Sequence, residues 1–267
     1  MNTAPPLLRW AGGKRQIVPT LATYWNPGFK RYVEPFAGSA CLFFYLAPQA
    51  ALLGDINSEL VSTYRFIKRR CWEVSKVLRT MRKGEREYYK VRAIRPDRLS
   101  PARRAARFIY LNRYCFNGLY RTNLSGGFNV PYGGQGSGSI PSEDALRRAS
   151  ALLKRATLIH GDFEDILDKV EPGDFVYMDP PFSVSDRRVF KEYNSSVFCW
   201  RDIIRLRQRL DRLTAMRIPF VVSYVRSDEG DYLSKGFKVS SVTVRRNISG
   251  FLESRVKCQE LLISNLS

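Results

Sequence analysis

The stretch Asp174-Phe175-Val176-Tyr177-Met178-Asp179-Pro180-Pro181-Phe182 decides the fold class of this chain. After Asp174 it holds a short apolar run, Phe175–Met178, the pattern of a strand buried in a sheet. The run ends at an acid followed by two prolines, which lack N–H donors and stiffen a turn. Working outward, Arg31–Glu34, Ala50–Gly54 and Thr157–His160 read as further strands. So do Pro219–Tyr224, Phe237–Val244 and Glu260–Ser264, while Ser39–Leu46 and Arg201–Leu213 read as helices. Strands alternating with helices predict an α/β sheet. Between the two groups of strands, Asn57–Cys115 is helical in pattern, most clearly over Arg103–Leu111. Asn117–Gly138 then turns rich in Gly, Asn, Ser and Tyr, with a hairpin expected near Phe128-Asn129-Val130-Pro131 and a flexible loop over Gly133–Ser139.

The chain has 267 residues and a formal net charge of +19. Much of that charge is local. From Tyr64 to Asn123 there are 18 Lys/Arg against 4 Asp/Glu, a surplus of 14. A polyanion is the partner such a surplus suits best, and nucleic acid fits it. A solvated helical face or an anionic membrane surface would account for it too. No apolar run approaches the roughly 20 residues that span a bilayer, and Met1–Leu8 lacks the pattern of a secretory signal, so a cytoplasmic protein is expected. Five cysteines (Cys41, Cys71, Cys115, Cys199, Cys258) form no CxxC pair, which points to buried free thiols rather than a disulfide framework or a zinc site. Ser-His-Asp chemistry would hang on the single histidine, His160, and no GxSxG elbow accompanies it.

Three short motifs carry chemistry. In Val33-Glu34-Pro35-Phe36-Ala37-Gly38-Ser39-Ala40, a strand enters a small-residue turn and then a helix. Gly38 lets backbone pass close to a ligand, and Asp55, at the end of the next strand, could bind the ribose of a nucleoside cofactor. The same turn could be merely structural, and GxGxxG spacing is absent. In Asp179-Pro180-Pro181-Phe182, a fixed carboxylate and the Pro180 carbonyl are acceptors beside an aromatic ring. Acceptors that grip both hydrogens of an exocyclic amine draw its nitrogen toward tetrahedral geometry and free the lone pair for attack on a methyl sulfonium. A strand-ending turn or a metal carboxylate are the alternatives. Arg9-Trp10-Ala11-Gly12-Gly13-Lys14 is unusual for a loose terminus, although Trp10 could simply fill the edge of a core.

Taken in order with Gly161-Asp162-Phe163, these motifs resemble the Dam/DpnM family of DNA adenine methyltransferases, the alpha group of the D12 class. The likeness spans nearly the whole chain: RWAGGK, VEPFAGSA, a basic region holding Asn117-Gly118-Leu119-Tyr120-Arg121 and Phe128-Asn129-Val130-Pro131-Tyr132-Gly133, then GDF and DFVYMDPPF. The resemblance implies a Rossmann-like S-adenosylmethionine-dependent methyltransferase sheet with a helical target-recognition insertion. It places the catalytic part in residues 1–56 and 157–267 and the recognition part in 57–156. S-adenosylmethionine is the implied cofactor, with Trp10 and Lys14 near its methionine part, Phe36, Ala37, Gly38 and Ser39 in its turn, Asp55 on its ribose, Asp162 and Phe163 at its adenine, and Asp179 at its border.

By the same likeness, Asp179, Pro180, Pro181 and Phe182 hold the target amino group and stack on a flipped adenine. Arg113, Asn117, Arg121, Asn123, Ser125, Asn129 and Pro131 fall on the side that meets double-stranded DNA. No metal and no membrane are implied, and the protein would be a monomer or a homodimer. Two departures matter. Phe182 stands where the family usually has Tyr, so the stacking face survives without the hydroxyl. Ser125 stands where Dam-like members carry an arginine that helps read GATC. A bidentate Arg–guanine contact is worth about 1–3 kcal/mol of discrimination, so its loss puts GATC specificity in doubt and the sequence leaves the recognition site open. An RNA or protein amino-methyltransferase, or a DNA-binding protein that has lost catalysis, would share the fold.

Overall fold

A computed structural model of the protein describes residues 3–10, 12–182, 198–247 and 255–266, with no side-chain description for 245–247 and 255–258. Ala11 of the Arg9–Lys14 motif and the Cys258 thiol lie outside the described residues. In chain order the elements are α1 (Val18–Ala22), β1 (Arg31–Glu34), α2 (Cys41–Leu46), β2 (Ala51–Asp55), α3 (Ser58–Thr80), α4 (Glu85–Ala93), α5 (Pro101–Tyr114), α6 (Glu143–Leu153), β3 (Ala156–His160), α7 (Phe163–Leu167), β4 (Asp174–Met178), α8 (Trp200–Ala215), β5 (Phe220–Val225), α9 (Asp228–Ser234), β6 (Lys238–Asn247) and β7 (Arg255–Ser264). Short 3₁₀ turns at Pro96–Arg98 and Phe116–Gly118 flank α5.

The strands form one seven-stranded sheet in the order β3-β2-β1-β4-β5-β7-β6. The first five are parallel, and β7 runs antiparallel to both of its neighbours. Every residue of β4 is buried, as its apolar run requires of a central parallel strand. Side chains alternate across the sheet. Tyr32, Phe175 and Tyr177 face a cluster that continues through α2, α3 and α5. Val33, Val176 and Met178 face a second cluster built with α7 and α8. The helices between β2 and β3 start at local signals: Asn57 accepts from Leu60 N at α3, Ser100 precedes Pro101 at α5, and Ser142 accepts from Ala145 N at α6.

The expected strands are all present, with β6 and β7 longer than their apolar cores suggested. The expected Ser39–Leu46 helix begins only at Cys41, because Gly38 and Ala40 are left-handed with φ of 45° and 48°. Gly38 has a second constraint: a Cβ there would meet Trp10 Cδ1 at 2.8 Å. The thiol expectation needs correcting. Cys41 and Cys115 are buried, but Cys71 is half-buried and Cys199 is exposed. Cys199 sits at the start of α8, where its thiol donates to Asp202 Oδ2 at 3.3 Å.

The hairpin forms with its tip over Leu124–Gly126. Thr122 bridges Phe128, and Asn123 N donates to Gly127 O at 2.9 Å. Among the described residues, no helix is long and apolar enough to cross a membrane.

Candidate active site

The strand order reverses direction at β1, which has β2 on one side and β4 on the other. In an open parallel sheet, such a switch point opens a crevice beyond the carboxyl ends of the two strands, where ligands bind. Here the two ends carry Glu34-Pro35-Phe36-Ala37-Gly38-Ser39 and Asp179-Pro180-Pro181-Phe182. β1 and β4 are parallel and in register at Val33 and Val176, so topology brings together motifs that lie far apart in sequence.

Asp179 is the centre of this edge. Lys14 Nζ lies 2.7 Å from Asp179 Oδ1 and 2.8 Å from Glu260 Oε1 on β7. The lysine and Glu260 side chains are 4% and 1% exposed, whereas Asp179 keeps 23% of its side-chain surface open. Ser223 of β5 makes a long 3.4 Å hydrogen bond to Asp179 Oδ1. Burial pushes the Asp179 carboxyl above its usual range, and Lys14 opposes that shift. Burial alone would lower the Lys14 ammonium pKa, but Asp179 and Glu260 outweigh it and hold the group charged. The Phe182 ring stands edge-on to Tyr224 with centroids 5.6 Å apart, and Lys14 Nζ lies 5.3 Å from its centre. Pro180 is buried and Pro181 exposed.

The glycine turn is tied down at both polar atoms of Gly38. Gly38 N donates to Asp55 Oδ2 at 2.9 Å, and Asn57 N donates to Asp55 Oδ1 at 2.8 Å. Tyr64 of α3 donates to the Gly38 carbonyl at 2.9 Å. Ala37, Gly38 and Ser39 are buried and Phe36 is half-buried. Trp10 stacks on Tyr120 with centroids 6.1 Å apart. Beyond the turn, Phe36 stacks on Phe163 at 5.3 Å, and Phe198 closes the group edge-on to Phe36 at 5.9 Å. Asp162 caps α7 and pairs with Arg205 at 2.6 Å, and the same guanidinium lies 4.8 Å from the centre of the Phe163 ring. Glu34, buried below the turn, accepts a 3.0 Å hydrogen bond from Tyr32. Burial raises its pKa well above the carboxylate range, and the nearby Asp179 and Asp55 charges add to the shift.

Trp10, Lys14, Phe36–Ser39, Asp55 and Asp179–Phe182 therefore gather at one edge, with Asp162 and Phe163 joined to it through Phe36. The hairpin residues form a separate group. Arg121 Nε donates to Asn129 Oδ1 at 2.7 Å, and Asn123 Oδ1 accepts from Ser125 Oγ and Gly127 N at 2.8 and 2.7 Å. Asn123 and Ser125 at the tip are exposed, as are Asn117 and Pro131. Arg113 donates instead to the carbonyl of Ser139.

The basic surplus divides in the same way. Arg104, Arg107 and Arg92 bind backbone carbonyls of Pro96, Val91 and Val130. Arg82, Lys83, Arg86, Lys90, Arg98 and Arg103 are exposed. Sequence reading assigned no role to Glu34, Glu260, Ser223, Arg205 or Phe198. The first two carried a signal, an acid bordering an apolar run, whereas Arg205 and Phe198 carried none.

A sheet of this order, with an acidic Pro-Pro turn at its switch point, defines a Rossmann-like methyltransferase fold. The chain belongs to the D12 class N6 adenine-specific DNA methyltransferase family, which it matches over residues 10–248. It is 34% identical to the Type II methyltransferase M1.LlaDCHI of Lactococcus lactis subsp. cremoris over 97% of this chain and 95% of that one. It is 32% identical to the Type II methyltransferase M.MjaIII of Methanocaldococcus jannaschii, covering 97% and 98%. Against the DNA adenine methylase of Escherichia coli K12 it is 32% identical, covering 96% and 93%. The protein is thus an adenine-specific DNA methyltransferase. Its substrate is DNA and its reaction draws on a methyl donor.

Proposed function

We propose that the protein moves the sulfonium methyl of S-adenosylmethionine to N6 of an adenine swung out of double-stranded DNA, and that it works in the cytoplasm as a monomer or homodimer. The observation that carries this reading is the Asp179 carboxylate, anchored by Lys14 at 2.7 Å yet partly open at the switch point. The edge suits such a donor. Glu34, Asp55 and Asp179 crowd three carboxylates there, and burial raises the pKa of each. A cationic ligand relieves that crowding. Trp10 and Lys14 flank its methionine end, Phe36, Ala37, Gly38 and Ser39 line the turn, and Asp55 meets the ribose hydroxyls. The aromatic group of Phe36, Phe163 and Phe198 offers ring faces for its adenine, with Asp162 alongside. When bound, the sulfonium supplies an electrophilic methyl group.

The remaining steps belong to the chain. Residues 57–156 form the recognition part, and 1–56 with 157–267 the catalytic part. Exposed Arg and Lys on the helices meet phosphates, which sets register without reading sequence. Hairpin residues Asn123, Ser125, Asn129 and Pro131, with Asn117, Arg121 and Arg113, lie on the DNA side. Swinging the adenine out costs a few kcal/mol, and stacking on Phe182 offsets part of it. Asp179 and the Pro180 carbonyl accept the two amine hydrogens and hold the nitrogen lone pair toward the methyl group, while Pro181 stiffens the turn. The amine gains a methyl and sheds a proton, for which Asp179 is the acceptor at hand.

Asp179→Ala tests the assignment. With labelled S-adenosylmethionine and unmethylated DNA, transfer should fall by roughly 10²-fold or more while DNA binding persists. Transfer at the wild-type rate would remove Asp179 from the chemistry. Wild-type protein that binds the donor and DNA but methylates neither DNA, ribosomal RNA nor protein would be a binding protein that has lost catalysis. Mapping modified adenines after expression in a methylation-free host gives the target sequence.

A further inference from the structure

We propose that Glu260 is a positioning residue for methyl transfer: it gives the Lys14 ammonium a second carboxylate, so that Asp179 can turn to the incoming amine without stranding a buried cation. The inference rests on the reading of Asp179 as the amine's acceptor. Glu260 heads the apolar run Glu260-Leu261-Leu262-Ile263 in β7 and is 1% exposed. A buried carboxylate in such a run is expensive unless a cation meets it. Register places it opposite Val225 at the end of β5, one strand from β4, and Lys14 reaches in from the N-terminal segment. The ammonium sits between the two acids at nearly equal distances, 2.7 Å to Asp179 and 2.8 Å to Glu260.

Lys14 is thus shared between two carboxylates rather than committed to one. With Asp179 as its sole partner, Lys14 would form a closed pair at Oδ1, where Ser223 also bonds, and would draw the carboxylate's charge toward that oxygen and away from an incoming amine. Glu260 prevents that closure, because Lys14 keeps a charged partner while Asp179 shifts its hydrogen bonding toward the substrate. Among the described residues, the other titratable groups around Asp179 are Glu34 on β1, Tyr177 on β4 and Cys41 on α2, with the Ser223 hydroxyl on β5. Glu260 and Lys14 themselves act on Asp179 with opposite sign.

The test compares Glu260→Gln, Glu260→Asp and Asp179→Ala in the full chain, by single-turnover methylation of a duplex carrying the mapped target across pH. Glu260→Gln is expected to slow transfer about tenfold with donor and DNA affinities unchanged. Its acid limb should move to lower pH, because a charge that holds the Asp179 pKa up is gone. Glu260→Asp, which keeps the charge, should recover most of the rate with the limb in its wild-type place.

Wild-type rate and limb in Glu260→Gln would overturn the proposal. So would equal defects in the Gln and Asp variants, which would mark a role in packing alone. Should Glu260→Gln not fold, Glu260→Asp still decides: a displaced acid limb would count against the proposal, and an unmoved limb with a small rate loss would support it. If Asp179→Ala methylates normally, the underlying reading fails. If Asp179→Ala is inactive while Glu260→Gln is normal, only the role of Glu260 fails.

Discussion

Lys14 is the residue on which the charge balance of the site turns. It is buried and meets two acids, and its charge holds the Asp179 pKa below where burial alone would push it. On the proposed role of Asp179 as the amine's acceptor, its reactive form is the carboxylate, so the acid limb of activity is expected to follow its protonation and to lie above the ordinary carboxylate value. Lys14→Met removes the opposing charge. The acid limb of single-turnover transfer at saturating donor should therefore move to higher pH, opposite to Glu260→Gln. A limb that stays in place, measured on both variants, would show that Lys14 does not set the charge of Asp179. In sequence the Asp179 turn could equally have been a strand end or a metal carboxylate, and only the ordered set of motifs pointed to methyl transfer. The engagement of Asp179 with Lys14 was not legible, because the 164 residues between them place no limit on their separation in space.

At the scale of elements, the contact of α7 with α8 supports the far end of the site. Arg205 on α8 pairs with Asp162, Glu164 and Asp202 and covers the face of Phe163. Asp162 in turn caps α7, accepting from Glu164 N at 3.0 Å. Arg205→Ala is expected to free Asp162 and unseat Phe163, weakening donor binding about tenfold with the rate at saturating donor little changed. Equilibrium titration with S-adenosylhomocysteine checks this, and unchanged affinity would separate Asp162 and Phe163 from the donor site. Helix starts at Asn57 and Ser142 have local causes that a sequence displays. The late start of α2 does not, because left-handed Ala40 is held there by the surrounding turn rather than by its own preference.

For the whole molecule, the charge of +19 splits into two populations. Arg107 is 4% exposed and binds the carbonyls of Val91 and Arg92, so it fastens α4 to α5. Arg86 and Arg103 are exposed. Replacing both exposed arginines with Ala should weaken binding to every duplex alike and lower the log–log salt slope by about 1 for each phosphate no longer neutralised. Arg107→Ala should instead lower the thermal midpoint and leave that slope alone. Salt titrations of DNA binding beside thermal melts distinguish the two classes. The amino-acid order alone determined the α/β class, the glycine turn, the acidic proline turn and the basic helical insertion, because each is a local pattern of period, stiffness or charge. Only the tertiary structure decided which arginines are spent on carbonyls and that Lys14, Asp179 and Glu260 share one buried cluster. Those outcomes depend on strand order and packing, which bring distant residues together without leaving a mark on their neighbours in sequence.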